Sequence, residues 1–173
     1  FVDRFILMLH NTSHRPLFNK RYRALNQFIP WVLGPFLGET PESYYAHHMG
    51  MHHPENNLPD DLSSTMGYQR DSFIDFMRYF LRFFFGGLVD LARYQKQKKR
   101  SQLLRMTIVG ELAYWAVMAG LLWFDWRVGL VLSVIPLVFT RFMMMAGNWG
   151  QHAFVDEKDP ANCYKNSITC INC

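Results

Sequence analysis

Two long apolar stretches dominate the second half of the chain, at 106–124 and 128–146, and only a short polar connection at 125–127 separates them. At the rise of an α-helix each stretch is about 28 Å long, close to the apolar thickness of a bilayer. The pattern predicts a transmembrane helical hairpin rather than two buried helices of a soluble bundle. Pro136 is expected to kink the second helix.

The stretch 73–92 has a different pattern, in which charged residues recur at helical spacing among phenylalanines and leucines. The charged residues that can share one face are Asp75, Arg78, Arg82 and Asp90. This spacing predicts an amphipathic helix. We expect it to lie along a membrane surface, and the alternative is a helix packed on a soluble core.

Three further segments complete the pattern. Residues 1–9 are apolar and predict the last turns of a helix that leads into His10. Residues 28–38 are apolar, too short to span a membrane and interrupted by prolines, which predicts an interfacial or re-entrant segment. The polar stretch 54–72 predicts an aqueous loop.

The composition and the distribution of charge predict how the hairpin is oriented in the membrane. Half of the residues are hydrophobic and 16% are aromatic, and polar loops bring the mean hydropathy to -0.08. The net charge is +4, and much of the positive charge lies at 93–100, just before the first predicted span. By the positive-inside rule this run faces the cytosol or the corresponding organelle compartment. No nucleic-acid-binding motif accompanies it, so nucleic acid is not an expected partner.

The cysteines say little about function. All three, Cys163, Cys170 and Cys173, lie at the C-terminal end, which argues against a disulfide framework. The terminal CINC has the CxxC spacing, but a lone CxxC is a weak signal for zinc or redox chemistry. Because the sequence opens at Phe1 inside an apolar run, we expect it to be a piece of a longer protein.

All seven histidines fall into three tight clusters, and this is the strongest chemical signal. The clusters are HNTSH (His10 and His14), HHMGMHH (His47, His48, His52 and His53) and NWGQH (His152). Neutral imidazole is a common protein ligand for iron, zinc and copper, so the clusters predict a metal site. The many nitrogen ligands favour iron, and the absence of an HExxH motif makes a zinc hydrolase the weaker alternative.

The spacing within each cluster predicts which rings share a helical face. His10 and His14 are four residues apart, and His48 and His52 repeat that relation, with His53 about a quarter turn away. His47 is a ligand, a hydrogen-bond donor to a ligand, or only a neighbour. Asn148 precedes His152 by four residues, so its amide could bind a metal directly or through water.

The predicted fold class is an all-α integral membrane protein with a transmembrane hairpin, interfacial amphipathic helices and one partial domain over 1–173. The hairpin returns Asn148 and His152 to the side of the basic run, and the earlier segments need no crossing. The histidine-rich site is therefore expected on the basic (cytosolic or stromal) side.

The three clusters, in this order and with a hairpin before the third, resemble the membrane fatty acid desaturase and hydroxylase superfamily. HNTSH is similar to its HxxxH box, HHMGMHH to its HxxHH or HxxxHH box, and NWGQH to its Asn-xxx-His element. The resemblance implies metal ligands at His10, His14, His48, His52, His53 and His152, with Asn148 and His47 as further candidates. The family also has a final HxxHH or QxxHH box. We expect it after Cys173, and without it catalysis would be doubtful.

The resemblance implies a site for two iron ions and oxygen-dependent desaturation of a lipid acyl chain. An incomplete site could instead hold zinc or no metal. Lipid or alkane hydroxylation and a non-catalytic role as a structural subunit of a larger membrane complex remain alternatives. The electron donor would be a ferredoxin or a b-type cytochrome. Asp60 and Asp61 are either its docking charges or part of a solvated loop. The endoplasmic reticulum and a plastid or other organelle membrane are both consistent with the sequence.

Overall fold

The structure, a computed structural model, describes residues 2–152, 155–156, 158–159 and 162. Helices account for the regular structure of this part of the chain, with no strand among these residues. The all-α prediction is confirmed to that extent. The three cysteines and the CINC sequence lie outside the described residues.

The first helix, α1, covers Val2–His14 and confirms that the N-terminal apolar run continues into His10. Phe5 and Leu9 are buried on one side of it and pack with Ile29 and Tyr44. The second helix, α2, consists of three consecutive pieces, Ser43–His47, a π-helical turn at His48–His52 and His53–Glu55. Both helices therefore present histidine clusters.

The third helix, α3, covers Phe73–Gln97 and extends beyond the predicted 73–92. Ser72 caps its start by accepting a hydrogen bond from the Asp75 amide, and Asp75 also pairs with Arg78 at 2.7 Å. Its inner face buries Phe76, Tyr79 and Phe80, but large apolar side chains also point outward, with Phe85 78% exposed. An outward apolar face is typical of a helix in contact with lipid.

The predicted hairpin consists of α4 (Ser101–Phe124) and α5 (Trp126–His152), both long and apolar enough to cross a membrane. Only Asp125 separates them, and its carboxylate accepts a hydrogen bond from the Arg127 amide at 2.8 Å. The connection is thus shorter than expected, because α5 already begins at Trp126. Large apolar side chains face outward along both helices, and Trp123 at the turn is 93% exposed.

Pro136 follows a π-helical turn at Leu130–Val134 within α5. A proline has no amide hydrogen to donate, and a wider turn before it accommodates the lost hydrogen bond. Ser133 in that turn donates to the Gly129 carbonyl oxygen at 2.5 Å, and Tyr114 of α4 donates to the Ser133 carbonyl oxygen at 2.9 Å. The wider turn is therefore also a contact between the two helices.

The apolar segment at 28–38 folds into two short helical pieces, Ile29–Leu33 and Gly34–Phe36, and packs against α5. Thr140 donates to the Leu37 carbonyl oxygen at 2.6 Å. Gly38, with φ 84°, lies so close to the Pro136 backbone that a Cβ atom would overlap it. Because Pro136 is in the interior of α5, this contact favours the re-entrant interpretation of the segment.

A buried ion pair joins the two long helices. Arg141 of α5 lies 3.3 Å from a carboxylate oxygen of Glu111 in α4. Thr40 and Trp115 also donate to that carboxylate, at 2.6 and 3.0 Å. An ionisable residue within an apolar helix is costly unless it is paired, so these donors explain how the helix tolerates Glu111.

Candidate metal centre

The rings of His10 and His14 lie on one face of α1, with their centroids 4.8 Å apart. This confirms the proximity predicted from their spacing of four residues, which brings two side chains together on an α-helix. His14 is exposed and His10 is half-buried, so α1 forms the outer wall of the site.

The pairing in the second cluster differs from the prediction. In the π-helical turn the amide of His53 donates to the carbonyl oxygen of His48, five residues earlier. Residues five apart therefore share a face, and the closest pair is His48 and His53, with centroids 4.4 Å apart. His47 and His52 stack in parallel at 6.4 Å. The predicted pair, His48 and His52, also stacks, at 6.0 Å, so the π-helical turn adds pairs five residues apart to the pair expected from a spacing of four.

Four imidazoles from α1 and α2 converge in what we call the four-histidine group. Its members are His10, His14, His48 and His53. The Nε2 atom of His48 lies 3.3 Å from that of His14 and 3.1 Å from that of His53. Candidate ligand atoms of His10, His14 and His48 all lie within 4.8 Å of one another. This arrangement could hold a metal ion.

The other histidines form the three-histidine group beside it: His47, His52 and His152. The ring of His152 comes from the end of α5 and lies 5.2 Å from that of His52. His52 also lies 5.8 Å from His53, so the two groups adjoin. His47 has a buried Nε2 atom with no hydrogen-bond partner among the described residues. A buried, unpaired nitrogen is unfavourable unless a ligand or metal satisfies it.

Asp61 orients His52, a role that the sequence did not indicate. One carboxylate oxygen accepts hydrogen bonds from His52 Nδ1 at 2.7 Å and from the backbone amide of Asn57 at 2.8 Å. The other accepts from the Ser63 amide and hydroxyl at 2.8 and 2.7 Å. Because Nδ1 of His52 is occupied in this way, its Nε2 lone pair remains free to bind a metal.

The stretch 54–72 is therefore not a simple aqueous loop. Asn57, Asp61, Ser63 and Thr65 are buried beneath the histidines. A docking role for Asp61 is wrong, since its side chain is 0% exposed, whereas the Asp60 side chain is 68% exposed and pairs with Lys98 at 3.2 Å. In the sequence the two adjacent aspartates look alike, and only the fold separates them.

A second unpredicted residue, Tyr79 of α3, holds the amide of Asn148. The Nδ2 atom of Asn148 donates to the Tyr79 hydroxyl at 2.6 Å and to the Ser63 carbonyl oxygen at 3.1 Å. The Tyr79 hydroxyl in turn donates to the same carbonyl at 3.1 Å. With its nitrogen bound in this way, Asn148 keeps its Oδ1 atom as a candidate metal ligand, and the residue lines a cavity beside the histidines.

Burial favours the neutral form of His10, His47, His48 and His53. Burial, reinforced by the neighbouring rings of His53 and His10, lowers the pKa of His48 to about 2. Burial and the His52 ring lower the pKa of His47 to about 4. Burial alone would raise the pKa of Asp61, but hydrogen bonds from His52 and Ser63 lower it to about 2. Neutral imidazole is the form that binds metals, so this donor set suits a metal ion.

A cavity of about 120 Å³ opens between the histidines and α5. One wall carries His10, His47, His48 and His52, and the other is largely Met143, Met144 and Met145. The ring of Tyr44 stacks on His48 at 5.1 Å and borders the same space. One side of the cavity is thus suited to a metal and the other to an apolar chain.

The sequence indicated all seven histidines and Asn148 but not Asp61, Tyr79 or Tyr44. Each of these three residues has neighbours of the same chemical type, and none belongs to a motif whose spacing would distinguish it from them. The model of the fatty acid desaturase family matches residues 4–172 of the chain. The chain matches no curated protein and no solved structure.

Proposed function

The chain belongs to the fatty acid desaturase family, and we propose that it is a membrane di-iron oxygenase that desaturates a lipid acyl chain. Membership of this family implies association with a membrane and a lipid substrate. The observation that best supports the proposal is the convergence of all seven histidines, from three distant segments, around a cavity whose opposite side carries three methionines.

The two histidine groups would each hold one iron. His10, His14, His48 and His53 would bind the first, and His47, His52 and His152, with Oδ1 of Asn148, the second. The nitrogen-rich donor set, the lowered pKa of His47 and its unpaired Nε2 support this assignment. When bound, iron supplies the oxygen-dependent redox chemistry that amino-acid side chains lack.

The remaining residues would hold the metal ligands in place and accommodate the substrate. Asp61 holds the ring of His52, and Tyr79 holds the amide of Asn148. The methionines of α5 offer an apolar wall that excludes water and accommodates an acyl chain. Electrons would come from a ferredoxin or a b-type cytochrome. The same ligands serve hydroxylation, in which the substrate gains an oxygen atom instead of losing two hydrogens.

We also propose that the histidines lie on the cytosolic or stromal side of the membrane. The basic run at 93–100 adjoins α2, because Arg100 donates to the carbonyl oxygen of Gly50 and Gln95 donates to those of Ala46 and Gly50. Since Gly50 lies within the second histidine cluster, the positive-inside rule assigns that cluster to the basic side.

Metal analysis and product analysis together test the proposed function. Protein purified from its native membrane without chelators is expected to contain about two irons per chain by elemental analysis. With oxygen, a reductant and an acyl lipid, the product should lose two hydrogens, as measured by mass spectrometry. Protein that contains only zinc, or iron-loaded protein that leaves all acyl chains intact, would contradict the proposal.

Replacing Asp61 by asparagine should weaken iron binding at the three-histidine group by roughly 10- to 100-fold. Asparagine has an NH2 group in place of one carboxylate oxygen. This group cannot accept the hydrogen bonds that the carboxylate accepts now, so His52 would lose its orientation. Iron retention during titration with a chelator measures the change.

Asp60→Asn is the matched control, because Asp60 is adjacent in sequence but exposed. It should retain iron as the wild type does. Equal retention in both variants would show that Asp61 does not position a ligand.

A further inference from the structure

A second cavity, of about 240 Å³, lies beside the candidate metal centre, between α1, the segment at 26–45 and the start of α4. We call it the Glu39 cavity. Leu9, Ile29, Pro30 and Met106 form much of its apolar lining. Tyr44 borders both this cavity and the one between the histidines and α5.

Glu39 is the unusual group in this lining. Glu39 is only 6% exposed, and its Oε1 atom has no hydrogen-bond partner among the described residues. Burial raises the pKa of Glu39 to about 8, so its protonated form is favoured at neutral pH, even though Arg141 acts in the opposite direction. A protonated carboxyl both donates and accepts, and leaving such a buried group unpaired is costly.

The charges around the cavity restrict what can satisfy Glu39. No lysine, arginine or histidine borders the cavity among the described residues, whereas Glu39 and Glu42 both do. An anionic head group, such as a carboxylate or a phosphate, would find no cation in this lining. Arg141, the nearby cation that acts on Glu39, lines a smaller neighbouring cavity and is paired with Glu111. A hydroxyl, ester or amide group can pair with Glu39 without carrying a charge into the cavity.

We propose that the Glu39 cavity binds the uncharged hydrogen-bonding end of a lipid, whose chain runs past Tyr44 toward the histidines. The identification of the ligand as a lipid rests on the proposed function. Glu39 then selects among lipids by the group at this end of the chain, and anionic lipids bind poorly.

Competition binding tests this proposal. The full-length protein in phosphatidylcholine nanodiscs is equilibrated with tritiated 1-hexadecanol and challenged with unlabelled 1-hexadecanol or hexadecyl sulfate. Half-maximal competition by the alcohol should need no more than roughly one tenth of the concentration that the sulfate needs, because the sulfate meets a carboxyl group and no cation. Equal competition by the two probes, or no saturable binding of the alcohol, would overturn the proposal.

Variants at position 39 assign the effect to this side chain. Glu39→Leu should weaken hexadecanol binding by roughly three- to tenfold, and Glu39→Gln, which retains donor and acceptor atoms, should stay within about twofold of the wild type. Ser43→Ala is the control, since the Ser43 hydroxyl is also buried and unpaired and borders the smaller cavity that Glu39 also lines, but not the Glu39 cavity. This variant should bind hexadecanol as the wild type does. Unchanged binding in Glu39→Leu would refute the role of Glu39.

A labelling experiment covers the case in which Glu39→Leu does not fold. A diazirine-bearing hexadecanol should label wild-type peptides that contain residues 39–45, and labelling confined to other peptides would contradict the proposal. These measurements need neither oxygen nor reductant. Failure of lipid oxidation with intact alcohol binding would therefore refute the proposed function alone, and the reverse result would refute only this inference.

Discussion

His14→Ala is expected to release iron from the four-histidine group and to abolish lipid oxidation without unfolding the protein. The Nε2 atom of His14 lies 3.3 Å from that of His48, so its loss removes one nitrogen from the convergent set. We expect metal affinity to fall by about 100-fold or more, because changes at residues that only orient a ligand already reduce it 10- to 100-fold. Iron content per chain and product formation measure the effect.

Asn11→Ala provides the matched control on the same helix. Asn11 and His14 are both exposed, so neither substitution leaves a cavity in the core. The alanine at position 11 should leave iron content and activity unchanged. After iron is removed from all three proteins, both variants should unfold at the same temperature as the iron-free wild type, because the stabilisation by bound metal is then absent from each. Full iron content in His14→Ala would exclude His14 as a ligand, and a matching loss of iron in Asn11→Ala would point to damage to α1 instead.

Gly110→Ala should produce a large loss of stability from a single methyl group. Gly110 of α4 lies against the backbone of Pro41, and an added Cβ atom would overlap the Pro41 carbonyl group. Backbone atoms cannot move aside as a flexible side chain can, so α4 would have to shift away from the segment before α2. We expect a cost of about 1–3 kcal/mol, measured by thermal unfolding in detergent.

Gly120→Ala is the control for this change, because Gly120 is in the same helix and a Cβ atom there meets no other atom within 4 Å. Alanine has the higher helix propensity, so this variant should match or exceed the wild-type stability by up to about 1 kcal/mol. Equal destabilisation of both variants would show that the contact with Pro41 does not limit stability.

The helices could largely be predicted from the sequence because their signals are local. The apolar stretches at 106–124 and 128–146 lie within α4 and α5, and the amphipathic pattern at 73–92 lies within α3. Backbone hydrogen bonds of a helix form within one segment, so the sequence of that segment contains most of the information. The helix ends were less accurate, since α3 and α5 both extend beyond the predicted limits.

The pairing of the second histidine cluster could not be predicted in the same way. An α-helix and a π-helix of the same sequence differ by one residue in hydrogen-bond spacing, and local composition does not distinguish them here. Contacts from outside the turn accompany the π-helical form: Arg100 and Gln95 donate to the Gly50 carbonyl oxygen, and a Cβ atom on Gly50 would meet Leu103. These contacts come from α3, the basic run and α4, distant in sequence.

By itself the sequence determined the helical class, the hairpin, the candidate histidines and the family resemblance, because periodicity and motif spacing are properties of neighbouring residues. Only the tertiary structure decided that His48 meets His53, that Asp61 is buried on His52 while Asp60 is exposed, and that Tyr79 holds Asn148. Each of these contacts depends on the packing of segments far apart in the chain. The charge and position of a side chain in the sequence do not specify that packing.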